Sequence, residues 1–509
     1  FIMETSTKKM TFPSAFSILF IILLMAIGLT WLIPSGAYSK LSYDNTEKRF
    51  IVKTYGNPDQ RYPATEQTLN QFNIKIQLSH FTNGIIKKPI AIPDTYQRVT
   101  QHEKNAIDML HAMVDGTIEV ADIMVFIFIL GGMIGVINKT GAFNAGLMSL
   151  AKKTKGNEFS VVFAVCVLML LGGTACGIEE EAVAFYPILV PVFLALGYDA
   201  IVCVGAIFLA ASMGTAFSTI NPFSVVIASN AAGIPFTEGI GFRAIGLILG
   251  GICVIIYMRW YCKKLTANPA FSYTYEDRQA FYDHYMKDID PNATIDFTFK
   301  RKLILILFCC AFPLMVWGVM FGGWWFPQMA ASFLAITILI MFISGLPEKE
   351  LIHGFTHGAS ELVGVTLIIG LARAVNIILE QGMISDTILD YLSHLVSGMH
   401  GSVFIIGQLL IFIFLGLIVP SSSGLAVLSM PIMAPLADTV GIPRDIVVSA
   451  YNWGQYIMLF LAPTGLVLVT LQMLNIPFNK WIKFVMPIVG CQFVISSTLL
   501  IIQVIMYGH

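Results

Sequence analysis

The sequence carries little charge for its length. Asp, Glu, Lys and Arg make up only 12% of its 509 residues, whereas 56% are hydrophobic and the mean hydropathy is +0.76. Soluble domains carry about 25% charged and about 45–50% apolar residues, so this chain lacks the polar groups that a soluble surface of its size needs. The composition therefore indicates an integral membrane protein. The net charge of −1 excludes a strongly basic nucleic-acid-binding protein.

Patterns typical of enzymes and of metal or disulfide sites are also missing. The eight Cys contain no C-x-x-C pair, and nearly all lie in apolar runs, which is typical of buried thiols. His353 and His357 have helical i, i+4 spacing but no HExxH pattern or third ligand. The apolar segments hold no GxSxG or GxxxxGK[ST] motif. We therefore expect neither an enzyme nor a primary pump, and no cofactor, while coupling to Na⁺ or H⁺ stays open.

The sequence does contain a series of apolar runs near bilayer-spanning length. They lie at 12–33, 120–138, 200–232, 239–260, 302–321, 327–344, 360–379, 445–475 and 480–506. The short basic segments between them favour a cytoplasmic N-terminus and an outside C-terminus, because Lys and Arg accumulate in cytoplasmic loops. Segment 34–119 is then an extracytoplasmic loop after the first helix (1–33). Segment 263–301 is a cytoplasmic linker between two halves, 120–262 and 302–509.

The two halves resemble each other. Segment 172–199 matches segment 415–445 at a constant offset of 244, which aligns Pro187 with Pro431. With the predicted topology, the first copy opens from the inside and the second from the outside. An inverted repeat of this kind is typical of secondary transporters.

Each half contains two interrupted segments. Segments 159–196 and 403–440 are each 38 residues long, well over the length of one span, and each has a polar break in its middle, which predicts a re-entrant hairpin. Segments 200–232 and 445–475 are interrupted at TINP and APTG, which predicts unwound helices. Irregular backbone at membrane depth is tolerated where it lines a cavity or is buried in protein, so four paired breaks predict one shared site near the midplane. For a single break, a simple kink between packed helices would be the alternative.

Three carboxylates stand at the tip of the first hairpin, Glu179, Glu180 and Glu181. A charge at membrane depth costs about 2.5–3.5 kcal/mol on insertion scales. Helix capping, the simplest explanation, offsets only about 0.3–1 kcal/mol per charge. We expect one of the three to pair with Arg373, a basic residue at the centre of a span. The other carboxylates can then bind a cation, a proton or a cationic substrate.

The tip of the second hairpin carries hydroxyls and no charge, at Ser421, Ser422 and Ser423. A helix follows, so its free N–H groups suit a carboxylate. Alternatively, these small residues only let the two arms pack closely. A cavity between an acidic tip and a hydroxyl tip suits a zwitterion with an extra positive charge, whereas a dianion would be repelled by the glutamates.

Further polar residues near the two helix breaks complete the predicted site. They are Ser218, Thr219, Asn221, Asn452, Gln455 and Thr464. Their oxygens and the freed backbone carbonyls either hold Na⁺ near Asn221 and Thr464 or satisfy the interrupted backbone. Two amphipathic stretches, 143–155 and 383–397, precede the hairpins and are expected to be interfacial helices.

Several motifs carry a resemblance to a known family; among them are GGMIGVINKTGAFNAG, GIEEEAVAF, NPFSVVIASNAAGIP and PSSSGLAVLSMPIMAPL. Over nearly the whole chain they resemble the YfcC-type branch of the C4-dicarboxylate anaerobic carrier (DcuC-like) family. The resemblance implies an all-α polytopic fold of about nine spans with two inverted repeats. It also implies a scaffold and a transport domain, an elevator motion and a homodimer. Related sodium symporters carry Ser-Asn-Thr at both tips, and the first tip here departs from that pattern.

We therefore expect a multi-pass secondary transporter of the bacterial inner membrane. Its expected activity is antiport of basic amino acids such as arginine and ornithine, which agrees with the label that members of this branch often carry. The glutamates would receive the cationic side chain and the serine tip the carboxylate. The alternative is a Na⁺- or H⁺-coupled carboxylate or peptide transporter. The expected partners are a small-molecule substrate, the lipid bilayer and a second copy of the chain, with no nucleic acid.

Overall fold

The computed structural model describes residues 14–84, 86, 89–287, 289 and 295–508, and the described chain is mostly helical. The α-helices are α1 (Ala15–Leu32), α2 (Glu66–Gln71), α3 (Leu78–Thr82), α4 (Ala106–Glu119), α5 (Ala121–Thr140), α6 (Ala142–Lys153), α7 (Phe159–Cys176), α8 (Tyr186–Ala195), α9 (Ala200–Val204), α10 (Ala210–Ala216), α11 (Ile227–Ala231), α12 (Ile240–Ala267), α13 (Arg278–Met286), α14 (Phe299–Phe321), α15 (Phe326–Ser344), α16 (Glu348–Ser360), α17 (Val363–Gln381), α18 (Ser385–Val396), α19 (Gly401–Ile418), α20 (Ser422–Thr439), α21 (Arg444–Leu461), α22 (Gly465–Leu474) and α23 (Phe478–Tyr507).

Six strands lie between α1 and α4. They are β1 (Gly36–Ala37), β2 (Lys40–Asp44), β3 (Arg49–Lys53), β4 (Gln60–Pro63), β5 (Ile90–Ala91) and β6 (Gln97–Arg98). The order β4-β3-β2-β5 forms an antiparallel sheet, and β1 pairs with β6. Leu41, Phe50 and Phe81 bury their side chains in a small core of this unit, residues 34–105, which we call the β domain. The expectation of an all-α fold with a loop at 34–119 is therefore wrong, because alternating apolar residues build a sheet and 106–119 is helix α4.

The membrane-spanning part agrees with the predicted number of spans, but not with every predicted segment. The segment predicted as a span at 200–232 consists of shorter helices, whereas Gly401–Ile418, predicted as one arm of a hairpin, is long and apolar enough to cross a bilayer. In the described chain, eight helical segments are long and apolar enough to cross a bilayer, and the pair α21–α22, bent by 42°, makes a ninth. Helices dominate because the bilayer core offers no water to backbone groups, which must pair within the segment. The helix predicted at 12–33 is described from residue 14 onward as α1.

The second half of the chain repeats the helix order of the first. The equivalent elements are α4–α5 and α16–α17, α6 and α18, α7 and α19, α8 and α20, α9–α10 and α21, α11 and α22, and α12 and α23. Packing is repeated as well: α15 lies on α5 as α1 lies on α17, and α7 lies on α10 as α19 lies on α21. The two kinked pairs α4–α5 and α16–α17 pack on each other at glycines, with Gly135 against Gly354 and Gly116 against Gly370.

The linker between the halves is folded onto the membrane-spanning part. The carboxylate of Asp199, in the turn before α9, accepts hydrogen bonds from the hydroxyls of Tyr261 (2.6 Å) and Ser272 (2.5 Å), which fixes the first part of the linker. Helix α13 packs on α8. The Tyr285 hydroxyl donates to the carbonyl oxygen of Met473 at the end of α22 (2.5 Å).

Candidate functional site

The first hairpin tip follows the end of α7. Gly177 has φ +65°, the left-handed conformation that ends helices and favours glycine, and its N–H donates to the Gly173 carbonyl (3.0 Å). Glu179 comes two residues later and precedes a 3₁₀ stretch, Glu180–Phe185, that leads into α8. The Glu179 side chain makes no capping hydrogen bond to that stretch, so helix capping does not account for it. The side chains of Glu180 and Glu181 lie outside the described part of the structure.

The second hairpin tip is held at the start of α20. The Ser421 hydroxyl caps this helix by accepting the N–H of Gly424 (3.3 Å), and Ser422 is its first residue. The Tyr451 hydroxyl donates to the Ser422 carbonyl oxygen (2.5 Å), and the Gln455 amide donates to the Ser422 hydroxyl (3.3 Å). Ser423 lies in the same first turn. These contacts orient the N-terminal end of α20, which attracts anions.

One tyrosine connects the two tips. The hydroxyl of Tyr456 on α21 donates to the carboxylate of Glu179 and is 2.9 Å from the hydroxyl of Ser422. Because Tyr456 uses its proton on Glu179, Ser422 donates to Tyr456, and Gln455 donates to Ser422. Hydrogen bonds therefore run in one direction from α21 across the second tip to the carboxylate of the first tip. The residues from the two halves meet at one place in the structure.

The break in the first broken helix lies between α10 and α11, at Phe217–Asn221. The Asn452 amide donates to the carbonyls of Thr215 (3.1 Å) and Ala216 (2.7 Å) and to the hydroxyl of Ser218 (2.9 Å). These carbonyls lie at the end of α10, where the regular helix pairing stops, although the Thr215 carbonyl also accepts the Ser218 N–H (3.2 Å). The amide nitrogen of Asn452 therefore supports the interrupted backbone. The carbonyl oxygen of the same side chain is buried without a hydrogen-bond partner among the described residues.

The remaining polar residues of this break face the first hairpin. The Thr219 hydroxyl is 3.1 Å from that of Thr174 on α7, whose hydroxyl also accepts the Thr219 N–H (3.0 Å). Asn221 is buried, caps the following turn through the Phe223 N–H (2.9 Å) and touches Gly177. A side chain at Gly177 would collide with the Asn221 amide. The first hairpin tip therefore packs against the break in the first broken helix.

The second break separates α21 from α22. Here the Thr464 hydroxyl oxygen is buried without a hydrogen-bond partner in the described chain, and so is the Gln455 side-chain oxygen nearby on α21. Gly465 packs closely on Ala372 of α17. The second break therefore lies against the helix pair α16–α17.

In the described part of the chain, the ion pairs of Arg373 are different from the one expected with a tip glutamate. Its guanidinium binds Glu119 of α4 (2.5 Å) and Glu380 on its own helix (3.1 Å). Helix α4 packs along α17, which brings Glu119 to Arg373. Sequence reasoning missed this pair because it assigned 106–119 to a loop.

A cavity of about 850 Å³ opens between α5, α16, α13 and the end of α22. His353 and His357 line it, together with the ion pair of Lys287 and Glu361 (3.2 Å). Among the described residues, no group of three His, Cys, Asp or Glu side chains could hold a metal ion. None of the tip residues whose side chains the structure describes lines this cavity.

Sequence reasoning missed the central role of Tyr456 and the contribution of Thr174. The available signal for Tyr456 was its position four residues after Asn452 in the motif YNWGQY, which places both on one face of α21. For Thr174 there was no signal beyond its polarity in an apolar arm.

Known proteins are similar to this chain over nearly its whole length. The family model described as C4-dicarboxylate anaerobic carrier matches residues 12–505. An uncharacterised protein of Haemophilus influenzae is 75% identical over 99% of this chain and 100% of its own length. A protein of Escherichia coli, YfcC, whose name gives it the provisional role of basic amino acid antiporter, is 28% identical over 99% of this chain and 98% of its own.

Two solved structures also align over most of this chain. MtrF of Neisseria gonorrhoeae, from a class of antimetabolite efflux pumps, covers 98% of it at 16% identity, with 96% of MtrF covered and a TM-score of 0.38. The YdaH transporter of Alcanivorax borkumensis covers 98% at 13% identity, with 100% of YdaH covered and a TM-score of 0.39.

The chain belongs to the C4-dicarboxylate anaerobic carrier family. The family predicted from the sequence motifs is thereby confirmed. The chain is a multi-pass membrane protein and a secondary transporter, and it is not an enzyme.

Proposed function

We propose that this member of the C4-dicarboxylate anaerobic carrier family exchanges basic amino acids, such as arginine and ornithine, across the bacterial inner membrane. The observation that carries the proposal is the junction of Glu179 with Ser422 through the Tyr456 hydroxyl. An acidic group and the N-terminal end of a helix meet there, so a ligand with one cationic and one anionic end fits both.

The charge distribution of the surrounding helices supports a cationic cargo. Residues 156–242, which form the first hairpin and first broken helix, contain no Lys or Arg. Residues 374–479, which form the second set, contain only Arg444, and that residue binds Asp438 at the far end of α20 (2.6 Å). Carboxylates at membrane depth typically face a cation or a polar cavity, and a cationic cargo would supply such a partner.

Unpartnered acceptors near the tips support the same conclusion. The side-chain oxygens of Asn452, Gln455 and Thr464 are buried and have no hydrogen-bond partner among the described residues. A buried acceptor without a donor costs about 1–3 kcal/mol. A guanidinium brings five N–H donors and an ammonium brings three, whereas a dicarboxylate brings none.

The α-carboxylate of the cargo would bind at the second tip. Ser421, Ser422 and Ser423 present hydroxyls there, and α20 is long enough for its dipole to favour an anion at this end. In this proposal the cation lies toward Glu179 and toward Glu180 and Glu181. Thr219 and Ser218 then act through the helix break that supports the first tip.

The repeated helix order supports an alternating-access mechanism. We infer that the two halves are inverted in the membrane. Helix α1 of the first half packs on α17 of the second, and α15 of the second half packs on α5 of the first, as expected for such a repeat. The hairpins and broken helices would form the moving transport domain. The kinked pairs α4–α5 and α16–α17, with α1 and α15, would form the scaffold of an elevator in a homodimer.

The second candidate is a Na⁺- or H⁺-coupled carboxylate transporter, and the description of the family model favours it. Oxygen ligands around Asn221 and Thr464 would then hold Na⁺, a hard cation that prefers oxygen donors as Ca²⁺ and Mg²⁺ do. Succinate uptake that depends on a sodium gradient would replace the first proposal by this one.

Exchange in proteoliposomes tests the proposal. Vesicles loaded with ornithine should take up labelled arginine without a sodium gradient, and Glu179→Gln should abolish this exchange. Glu180→Gln is measured in parallel. Glu158→Gln is the matched control, since Glu158 precedes α7 at the opposite end of the same hairpin arm. Normal exchange by Glu179→Gln would refute the cation site.

A further inference from the structure

The β domain is attached firmly to the helices next to it in the fold. The Ser35 hydroxyl donates to the carbonyl of Gly382 (2.8 Å) at the end of α17. On α18, Asp386 accepts the Tyr38 N–H (3.0 Å), and Asp390 accepts the Tyr38 hydroxyl (3.2 Å). Burial and the nearby Asp390 raise the pKa of the Tyr38 hydroxyl far above its ordinary value, so it stays a donor. These contacts fix one side of the domain to α17 and α18.

The opposite side of the β domain lies on the helices that carry the candidate site. The Lys75 ammonium is 2.9 Å from the Asp438 carboxylate at the end of α20, and the Lys75 carbonyl lies against Gly233 just beyond α11. Strand β5 packs along α20. A pocket of about 10 Å³, too small for a ligand, lies between segment 73–76 and these helix ends. The domain thus closes this end of the hairpin.

Asp438 connects Lys75 to two more helices. Arg444, the first residue of α21 and largely buried, binds the same carboxylate (2.6 Å) and donates to the carbonyl of Ala232 at the end of α11 (2.6 Å). One lysine of the β domain therefore contacts a cluster that joins the ends of α11, α20 and α21. Helix α21 carries Tyr456, and α20 carries Ser422.

We propose that the β domain is the outer gate of the transporter, with Lys75 and Asp438 as its latch. The inference rests on the proposed transport function and adds a moving contact outside the binding site. The helix ends at the β domain are covered by Lys75 and β5, whereas the cavity of about 850 Å³ lies at the end of α22, the repeat equivalent of α11. The site helices can move relative to α17 and α18 only if the Lys75–Asp438 contact breaks.

Cross-linking tests the latch in the full-length protein. Lys75→Cys and Asp438→Cys are combined in a background without the native cysteines and joined with a short bifunctional thiosulfonate. Joining them should lower exchange at least tenfold, and reduction should restore it. The same double variant before cross-linking controls for the lost charges. Cross-linked Glu47→Cys and Arg61→Cys, an ion pair within the β domain (3.2 Å), should leave exchange within twofold. Normal exchange by the cross-linked latch would overturn the proposal.

A second measurement needs no knowledge of the cargo. A cysteine at Ser421 is labelled by a membrane-impermeant thiol reagent added from the outside. Lys75→Gln should raise the labelling rate about two- to fivefold, the shift expected for loss of one partly exposed ion pair, and Lys75→Arg should restore it. Equal rates in all three proteins would contradict the gate. Labelling is independent of transport. A failure of arginine exchange alone would therefore refute the proposed cargo, whereas a raised labelling rate in Lys75→Gln would still support the gate.

Discussion

Removal of the Tyr456 hydroxyl tests whether this side chain joins the two hairpin tips. Tyr456→Phe keeps the ring, which is buried on α21, and deletes one hydrogen bond to a carboxylate and one to a hydroxyl. A hydrogen bond to a charged group contributes about 1.5–3 kcal/mol, and one between neutral groups about 0.5–1.5 kcal/mol. We therefore expect the free energy of unfolding to fall by about 2–4 kcal/mol.

A double-mutant cycle separates this junction from general packing. Tyr456→Phe and Glu179→Gln are measured singly and together by reversible unfolding in mixed micelles, followed by tryptophan fluorescence. Since both residues share one hydrogen bond, the coupling energy should be about 1–3 kcal/mol. Tyr186→Phe is the control, because Tyr186 is a buried tyrosine that is 3.1 Å from the hydroxyl of Thr470 and lies on α8.

The control pair of variants should behave differently from the test pair. Tyr186→Phe combined with Glu179→Gln should be additive within about 0.5 kcal/mol. If Tyr456→Phe and Glu179→Gln were equally additive, the tyrosine would not connect the tips. The proposed binding site would then lose the observation that carries it.

Three further substitutions have defined expected outcomes. Gly177→Ala should lower the free energy of unfolding by about 1–3 kcal/mol, because a residue with a side chain is strained at φ +65° and the alanine methyl would collide with the Asn221 amide. Asn452→Ala should lower both stability and exchange, since two carbonyls and a hydroxyl lose their buried donor; melting and uptake assays measure this. Glu119→Gln should reduce stability by about 0.5–2 kcal/mol and leave the apparent affinity for arginine unchanged, because it weakens an ion pair between α4 and α17 and not a contact with the cargo.

Matched variants make these outcomes informative. Gly197 also has a positive φ, of +88°, but nothing lies within 4 Å of an added methyl. Gly197→Ala should therefore lower the free energy of unfolding less than Gly177→Ala does. A reduced affinity for arginine in Glu119→Gln would return Arg373 and Glu119 to the binding site. Full exchange by Asn452→Ala would show that the helix break at 217–221 keeps its structure without the hydrogen bonds of the Asn452 amide.

The amino-acid sequence by itself determined that the chain crosses the membrane many times, as well as most of its long apolar helices and the places where two of the apolar runs are interrupted. Hydropathy is a local property, and Gly, Pro and polar residues in an apolar run mark the breaks within it. The breaks at TINP and APTG therefore stand between α10 and α11 and between α21 and α22, while the glutamates lie between α7 and α8 and the serines at the start of α20. The internal repeat also predicted that these four elements belong together.

Tertiary structure decided which polar groups meet. Glu179 and Tyr456 are 277 residues apart, and Arg373 and Glu119 are 254 apart, so no local pattern relates them. In most helices of this chain the residues that face lipid are also as apolar as those that face protein. The sequence therefore does not show which helices pack on each other. The β domain, too, is a polar stretch in sequence, and only its folded form places Lys75 on Asp438. Membrane insertion follows from composition, whereas the pairing of charges depends on packing between distant helices.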